Sequence, residues 1–225
     1  MDPKRRFLLK GMLASGAGGA LLGSAGLAQA ALGANRTGRV PTLLLSGSTE
    51  IENSFGAGVR AALPPGADFR PLRAGHVDAF AEACRSLSGN RPLRLIGMLD
   101  DASGELLIAR ARHAGARVSW LGLHAVDNRQ TRHQIVNAPG TRTAVLALGE
   151  QLGTSAAGFA LKSEQPFSEG RDLSLAGRRA GATTSDWATH LGHALAEPGR
   201  PVDSAALAAR SARLEGRFVS FVIEV

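Results

Sequence analysis

Three sets of residues in this sequence have side chains and spacings suited to chemistry. The first is Ser46, Ser48, Thr49 and Glu50, then Asp100 and Asp101, then His124, Asp127 and Asn128; each subset follows a short apolar run. A serine, an acid and a histidine gathered at one place can act as nucleophile, orienting carboxylate and general base. The second set is Asp186, His190 and His193. On a helix their spacing keeps them within an arc of about 60°, where they offer ligands to a divalent metal, or one axial histidine to a haem. The third is Gly140, Thr141 and Arg142. If a helix starts there, its free N–H groups and the guanidinium could receive an anion.

Each set also has a plainer reading, which is the one preferred here. Ser46-Gly47 suits a turn, Asp100 and Asp101 suit a helix N-cap, and 186–193 is a solvated flank beside an apolar stripe. Helical ligands three and four apart need a further ligand from elsewhere to close a site. No C-x-x-C-H, P-loop or G-x-G-x-x-G is present, so the sequence identifies no cofactor.

The elements that must position these residues are read from apolar periodicity. Thr42–Leu45, Leu93–Leu99 and Arg117–Leu123 read as strands, and Asp68–Leu72 as a short one. Helices are expected over Ser54–Leu63, His76–Leu87 and Ala102–His113, with Gly115 as a stop. Alternation of strand and helix with tight links points to βαβ units on a parallel sheet. The second half is less regular: Gln134–Val136 and Gly158–Lys162 look extended. Thr141–Leu152 is helical or, over Thr143–Leu148, a strand. Residues 160–182 look like an irregular excursion, Asp186–Ala196 and Ser204–Ala212 are helical, and Arg217–Val225 is a final strand. The expected fold is α/β, a three-layer sandwich with a mainly parallel sheet. In that fold the strand carboxyl ends make the natural site.

The N-terminus reads Lys4-Arg5-Arg6-Phe7-Leu8-Leu9-Lys10, then a Gly/Ala-rich apolar run from Gly11 to Leu27, then Ala28-Gln29-Ala30. It resembles a bacterial twin-arginine (Tat) translocation signal, with Arg5 and Arg6 as the motif and Lys10 closing it. The resemblance implies export of a folded protein through the twin-arginine translocase to the periplasm, with cleavage between Ala30 and Ala31. The expected organisation is a cleavable signal peptide over 1–30, a flexible leader over 31–40 and one α/β domain over 41–225. Folded export also suits a protein that travels with, or serves, a periplasmic redox or metalloenzyme partner.

A second resemblance is to the GDSL serine esterases: Leu45-Ser46-Gly47-Ser48-Thr49 is similar to that family's nucleophile block, and Asp186-Trp187-Ala188-Thr189-His190 to its acid-and-histidine pair. It implies a small exported hydrolase using Ser46 or Ser48. The sequence departs by having Ser48 and Thr49 where aspartate and serine follow the glycine, and one residue too many between Asp186 and His190.

Bulk properties narrow the classes further. The chain has 225 residues, is 44% hydrophobic and carries a net charge of +7. The leader holds Lys4, Arg5, Arg6 and Lys10 against Asp2, which leaves +4 for the rest. Basic residues are interleaved with acids and aromatics are only 4%, so no basic-aromatic run for nucleic acid exists. After the leader no apolar stretch is long enough to span a bilayer. The one cysteine, Cys84, shares a helical face with Val77, Phe80 and Leu87 and reads as a packed thiol. Together these favour an exported non-catalytic accessory or binding protein, over a serine hydrolase or a metal- or haem-carrying protein. Replacing Arg5 and Arg6 by lysine is expected to stop export, with uncleaved precursor accumulating in cell fractions. Undiminished, trimmed periplasmic protein would remove the pathway assignment.

Overall fold

The structure is a computed structural model that describes residues 40–74, 77–89, 91–127, 130–136, 142–154, 158–164, 173–177, 186–197 and 214–225. The leader, with Arg5, Arg6, Ala30 and Ala31, lies outside them. So do Gly140, Thr141 and the expected helix Ser204–Ala212. Val40–Val225 forms one compact unit.

Among the described residues eight strands make one sheet: β1 Thr42–Ser46, β2 Phe69–Arg73, β3 Arg94–Asp100, β4 Arg117–Val126, β5 Thr131–Val136, β6 Phe159–Glu164, β7 Leu173–Ala176 and β8 Gly216–Glu224. Their spatial order is β2-β1-β3-β8-β4-β5-β6-β7. The β1–β2, β1–β3 and β5–β6 pairs are parallel, while β3–β8, β4–β8, β4–β5 and β6–β7 are antiparallel. The sheet is therefore mixed and mostly antiparallel, which corrects the expectation of a mainly parallel one. The cause is β8, which enters between β3 and β4 and runs against both. Without it β3 and β4, joined by a helical crossover, would be the next parallel pair. β6 falls on the segment Gly158–Lys162 read as extended, whereas β7 lies inside the stretch read as irregular.

Helices cover both faces. On one face lie α1, α4 (Arg142–Thr154) and α5 (Asp186–Ala196), and on the other α2 (Val77–Leu87) and α3 (Asp101–His113). α1 begins as an α turn at Thr49–Ile51, widens to a π turn over Glu52–Gly56 and continues as α over Ala57–Ala62. Within the widened segment the Ser54 hydroxyl bonds the Glu50 carbonyl at 2.7 Å, the back-bond that bends helices. The ambiguous 142–152 stretch is helix, because Val145, Leu148 and Leu152, three and four apart, are buried on one stripe. Arg94, at the start of β3, donates to the Leu195 and Ala196 carbonyls at 2.8 Å each. It thereby caps α5 and ties that helix to the sheet.

α1 and α5 cross in backbone contact. A Cβ on Gly58 would overlap the Thr189 carbonyl oxygen, and one on Gly192 would overlap that of Phe55. Gly153, on the exposed side of α4, has open space around it. Gly192→Ala is expected to cost about 3 kcal/mol, the upper end for overpacking, since backbone must move. Gly153→Ala is expected to add about 0.5–1 kcal/mol. Urea unfolding of the two variants checks both signs.

Candidate functional site

The residues expected to gather at the strand carboxyl ends are there, each engaged in local structure. Ser46 closes β1, is buried, and aims its hydroxyl at the Leu72 carbonyl 3.5 Å away. Ser48 is the N-cap of α1 and accepts from the Ile51 amide at 3.3 Å. A hydrogen bond from Ser48, then one from its own backbone amide, holds the Glu50 carboxyl below its ordinary pKa. Asp100 is the N-cap of α3, taking the Ser103 amide at 3.0 Å. Burial pushes its pKa up, but the hydrogen bonds from Ser103 together with those from the Asp100 and Ala102 amides bring the carboxyl below its ordinary value. Asp101 lies in the first turn of the same helix. Asp127 takes the Gln130 amide at 2.9 Å and closes the β4–β5 turn; Asn128 lies outside the described residues.

His124 is the exception. It stands inside β4, not after it, and is 2% exposed. Asp100 and His124 both register with Phe218, from either side of β8. Two strand spacings, roughly 10 Å, therefore separate their backbones. No hydrogen bond among the described residues joins His124 to Ser46, Ser48 or Asp100. It instead belongs to a buried polar cluster built by three adjacent strands.

Strand periodicity makes that cluster. Trp120, Gly122 and His124 share one face of β4, and Ser220 of β8 lies opposite Gly122. With no side chain at Gly122, both neighbours lean in to the Ser220 hydroxyl. Trp120 Nε1 reaches it at 3.0 Å and His124 Nε2 at 2.7 Å. A Cβ on Gly122 would stand 2.7 Å from Ser220 Oγ and 2.9 Å from His124 Nε2. On the other side, His124 pairs directly with His133 of β5, Nδ1 to Nδ1 at 2.8 Å. His133 Nε2 in turn meets Thr131 Oγ1 at 3.0 Å. Trp187, from α5, covers both imidazoles with ring centroids 5.2 and 5.0 Å away, and Phe218 packs on Trp187 at 6.5 Å.

The network can be satisfied with both imidazoles neutral. Trp120 can only donate, so Ser220 accepts from it; in one arrangement that satisfies the chain, Ser220 donates to His124 Nε2. His124 then carries its proton on Nδ1 and donates to His133 Nδ1. His133 carries its own on Nε2 and donates to Thr131. Every group is satisfied with both rings neutral. Burial pushes the His133 pKa down to about 3. Burial, then repulsion from His133, holds His124 well below its ordinary value.

Ser220, His124 and His133 thus touch in the order of nucleophile, base and orienting group, yet the setting opposes catalysis. Ser220 is fully buried, and the same burial that lowers the histidine pKa values disfavours the imidazolium a general base must become. β8 is paired on both sides, so its amides are engaged in the sheet ladder and not presented to an oxyanion. The cluster works as a fastener of the core.

On α5, His193 is buried, His190 is half-buried and Trp187 is buried. Trp187 Nε1 has no hydrogen-bond partner among the described residues. No group of three or more His, Cys, Asp or Glu able to hold a metal ion occurs among the described residues. The Asp186, Thr141 and Arg142 side chains lie outside what is described. Cys84 is half-buried, and burial raises its pKa, so the thiol stays protonated.

One open cavity of about 560 Å³ lies at the carboxyl edge of β1, lined by Ser48, Glu50, Leu214, Glu215 and Phe218. Ser48 and Glu50 were among the candidates read from the sequence; Leu214, Glu215 and Phe218 were not. Phe218 and Leu214 come from a segment far away in the chain, so only the fold brings them here. His133 was legible in principle, as Thr131-x-His133 is a strand-period polar pair.

No family model, curated protein or solved structure significantly matches the chain.

The buried pair makes stability depend on pH. An unfolded histidine titrates near 6.5 and the folded ones lower, so the unfolded state binds more protons as pH falls. The stabilisation is whole above pH 6.5 and is lost as pH drops toward about 3. Each histidine contributes up to about 1.4 kcal/mol per pH unit in that window. Urea unfolding at pH 7, 5.5 and 4.5 should show this loss, and His124→Gln/His133→Gln should flatten it. An unchanged slope in the double variant would show that the pair does not carry it.

Proposed function

We propose that this chain is an exported, non-catalytic binding or accessory protein that presents the cavity at Phe218 to its ligand. The observation carrying this reading is how the reactive side chains are used. Ser46, Ser48 and Asp100 are engaged by a carbonyl or by caps, and His124 is sealed and held neutral. At that edge Ser48, Leu214, Phe218 and the two acidic residues Glu50 and Glu215 line an open concave surface. Phe218 is backed from within, since it packs on Trp187 and Trp187 on the histidine pair. Such a backing suits a pre-formed site that binds without rearrangement.

Export rests on the leader resemblance, and service to a periplasmic redox or metalloenzyme partner rests on that pathway. Among the described residues no helix is long and apolar enough to cross a membrane.

Two measurements on the same protein test the reading. A fluorophosphonate probe is expected to leave Ser46, Ser48 and Ser220 unlabelled; stoichiometric labelling of any of them would replace the binding reading with a hydrolase. A ligand-observed NMR screen of small fragments is expected to give binders that Phe218→Ala weakens about tenfold. A screen whose hits are all indifferent to Phe218→Ala would remove the cavity from the proposal.

A further inference from the structure

The cavity at Phe218 lies on one face of the sheet, and strand alternation decides which charges reach it. Phe218 and Val222 of β8 face α1, α4 and α5, while Val219, Phe221 and Ile223 face α2 and α3. Arg217 alternates with Phe218 and goes with the second set, away from the cavity. Arg132 registers with Ala125, which alternates with Val126 of the first set. It too lies on the far face, where Asp127 stands 3.6 Å from its guanidinium.

On the cavity's own face, Arg60 and Arg73 are both held by Glu52. Arg73 Nε donates to the Glu52 carboxylate at 3.0 Å. Arg60 donates to the Glu52 carbonyl at 3.2 Å, with its Nη1 3.9 Å from the carboxylate. Glu50, in the first turn of α1, is exposed and lines the cavity together with Phe218. The bond from Ser48, then the one from its own amide, hold its carboxyl below the ordinary value, and Arg73 is the smallest of the influences on it. A carboxylate so bonded can still accept, since its two oxygens offer about four lone-pair sites. Glu215 lines the same cavity beside Leu214. Asp100, another carboxyl held below its ordinary value, stands opposite Phe218 in the β3–β8 register.

A half-buried aromatic ring and an apolar side chain thus share one concavity with an ionised carboxylate. The face of an aromatic ring attracts a cation through its quadrupole, and the ring also covers an apolar body. A carboxylate accepts from an ammonium through a charge-assisted hydrogen bond. An anion at the same place meets like charge, and a neutral ligand gains the apolar contact alone. Resting on the binding reading proposed above, we infer that the ligand of this cavity is an organic cation, an ammonium group on an apolar body. The ammonium sits at Glu50 and the body lies against Phe218 and Leu214. The volume of about 560 Å³ is that of a small-molecule site.

The test titrates the full chain at neutral pH with benzylammonium, benzyl alcohol and benzoate, which share a ring and differ in charge. Ligand-observed NMR reads each Kd. Benzylammonium is expected to bind at least fivefold more tightly than benzyl alcohol, and benzoate most weakly. Glu50→Gln is expected to weaken benzylammonium about fivefold, the upper end for an exposed ion pair, and to leave benzyl alcohol unchanged. Phe218→Ala is expected to weaken both. Glu105→Gln removes the same charge from an exposed position on α3, on the far face, and is expected to change neither. Thermal melts confirm that the variants fold. Equal loss in Glu50→Gln and Glu105→Gln would assign the preference to net charge and overturn the inference. Benzyl alcohol or benzoate binding as tightly as benzylammonium, with loss in Phe218→Ala, would overturn the cation and leave the cavity as a binding site. Failure of all three probes at millimolar concentration would overturn the cation too. The cavity itself falls only when the wider fragment screen yields no binder that Phe218→Ala weakens.

Discussion

The insertion of β8 between β3 and β4 is the constraint on which the rest of the structure depends. Its pairing with both neighbours joins a parallel group, β2-β1-β3, to an otherwise mixed group, β4-β5-β6-β7. Val219, Phe221 and Ile223 enter the core beneath α2 and α3, while Val222 enters the core beneath α1, α4 and α5. A strand buried on both faces links the two cores, so neither can be completed without it. Loss of these nine residues would leave β3 and β4 with unpaired edges facing one another, an outcome far more damaging than loss of an outer strand.

The polar cluster follows from that insertion. Ser220 reaches Trp120 and His124 only because β8 lies beside β4, and only because Gly122 leaves the space between them empty. In a low-dielectric interior an unsatisfied imidazole is costly, whereas a fully connected chain fixes strand register. The Trp120–Ser220–His124–His133–Thr131 chain crosses three strands, so a slip of β8 or β5 by one residue would break it as well as reversing the apolar faces. This is a physical reason for two histidines in the core of a domain without assigning them any reaction.

Much of the element structure was legible in the sequence. Thr42–Leu45, Leu93–Leu99 and Arg217–Val225 were recognisable as strands, and the helices ending at Leu87, His113 and Ala196 were recognisable by apolar spacing. Strand direction was not. Leu93–Leu99 and Phe218–Ile223 are both near-continuous apolar runs, and such a run says that both faces are buried, not which way the neighbour points. Local alternation of strand and helix up to β4 suggested parallel pairing, and the overriding partner lay about a hundred residues later. The candidate site was legible in the same limited way. Asp100 was recognisable as a cap from its position before a helix, and the structure has it as one; Ser48 was read inside a turn, because the helix was expected only from Ser54, and it caps a helix that starts at Thr49. His124 was placed at a strand end because its partners, His133 and Ser220, are visible only once the strands are paired.

The order in which the chain is made bears on how it could be exported. The sheet's central strand is formed by residues 216–224, so the two halves of the sheet can be joined only after nearly the whole chain described here has been released. Pairings this distant in sequence make folding slow and leave strand edges exposed meanwhile. A route that threads an unfolded chain would require this long-range closure to occur after transit. A route that carries folded proteins lets it occur beforehand, in the compartment of synthesis. The second route is the one we propose from the leader's resemblance to a twin-arginine signal, and a domain closed by a strand this late in the chain gives that proposal a physical reason.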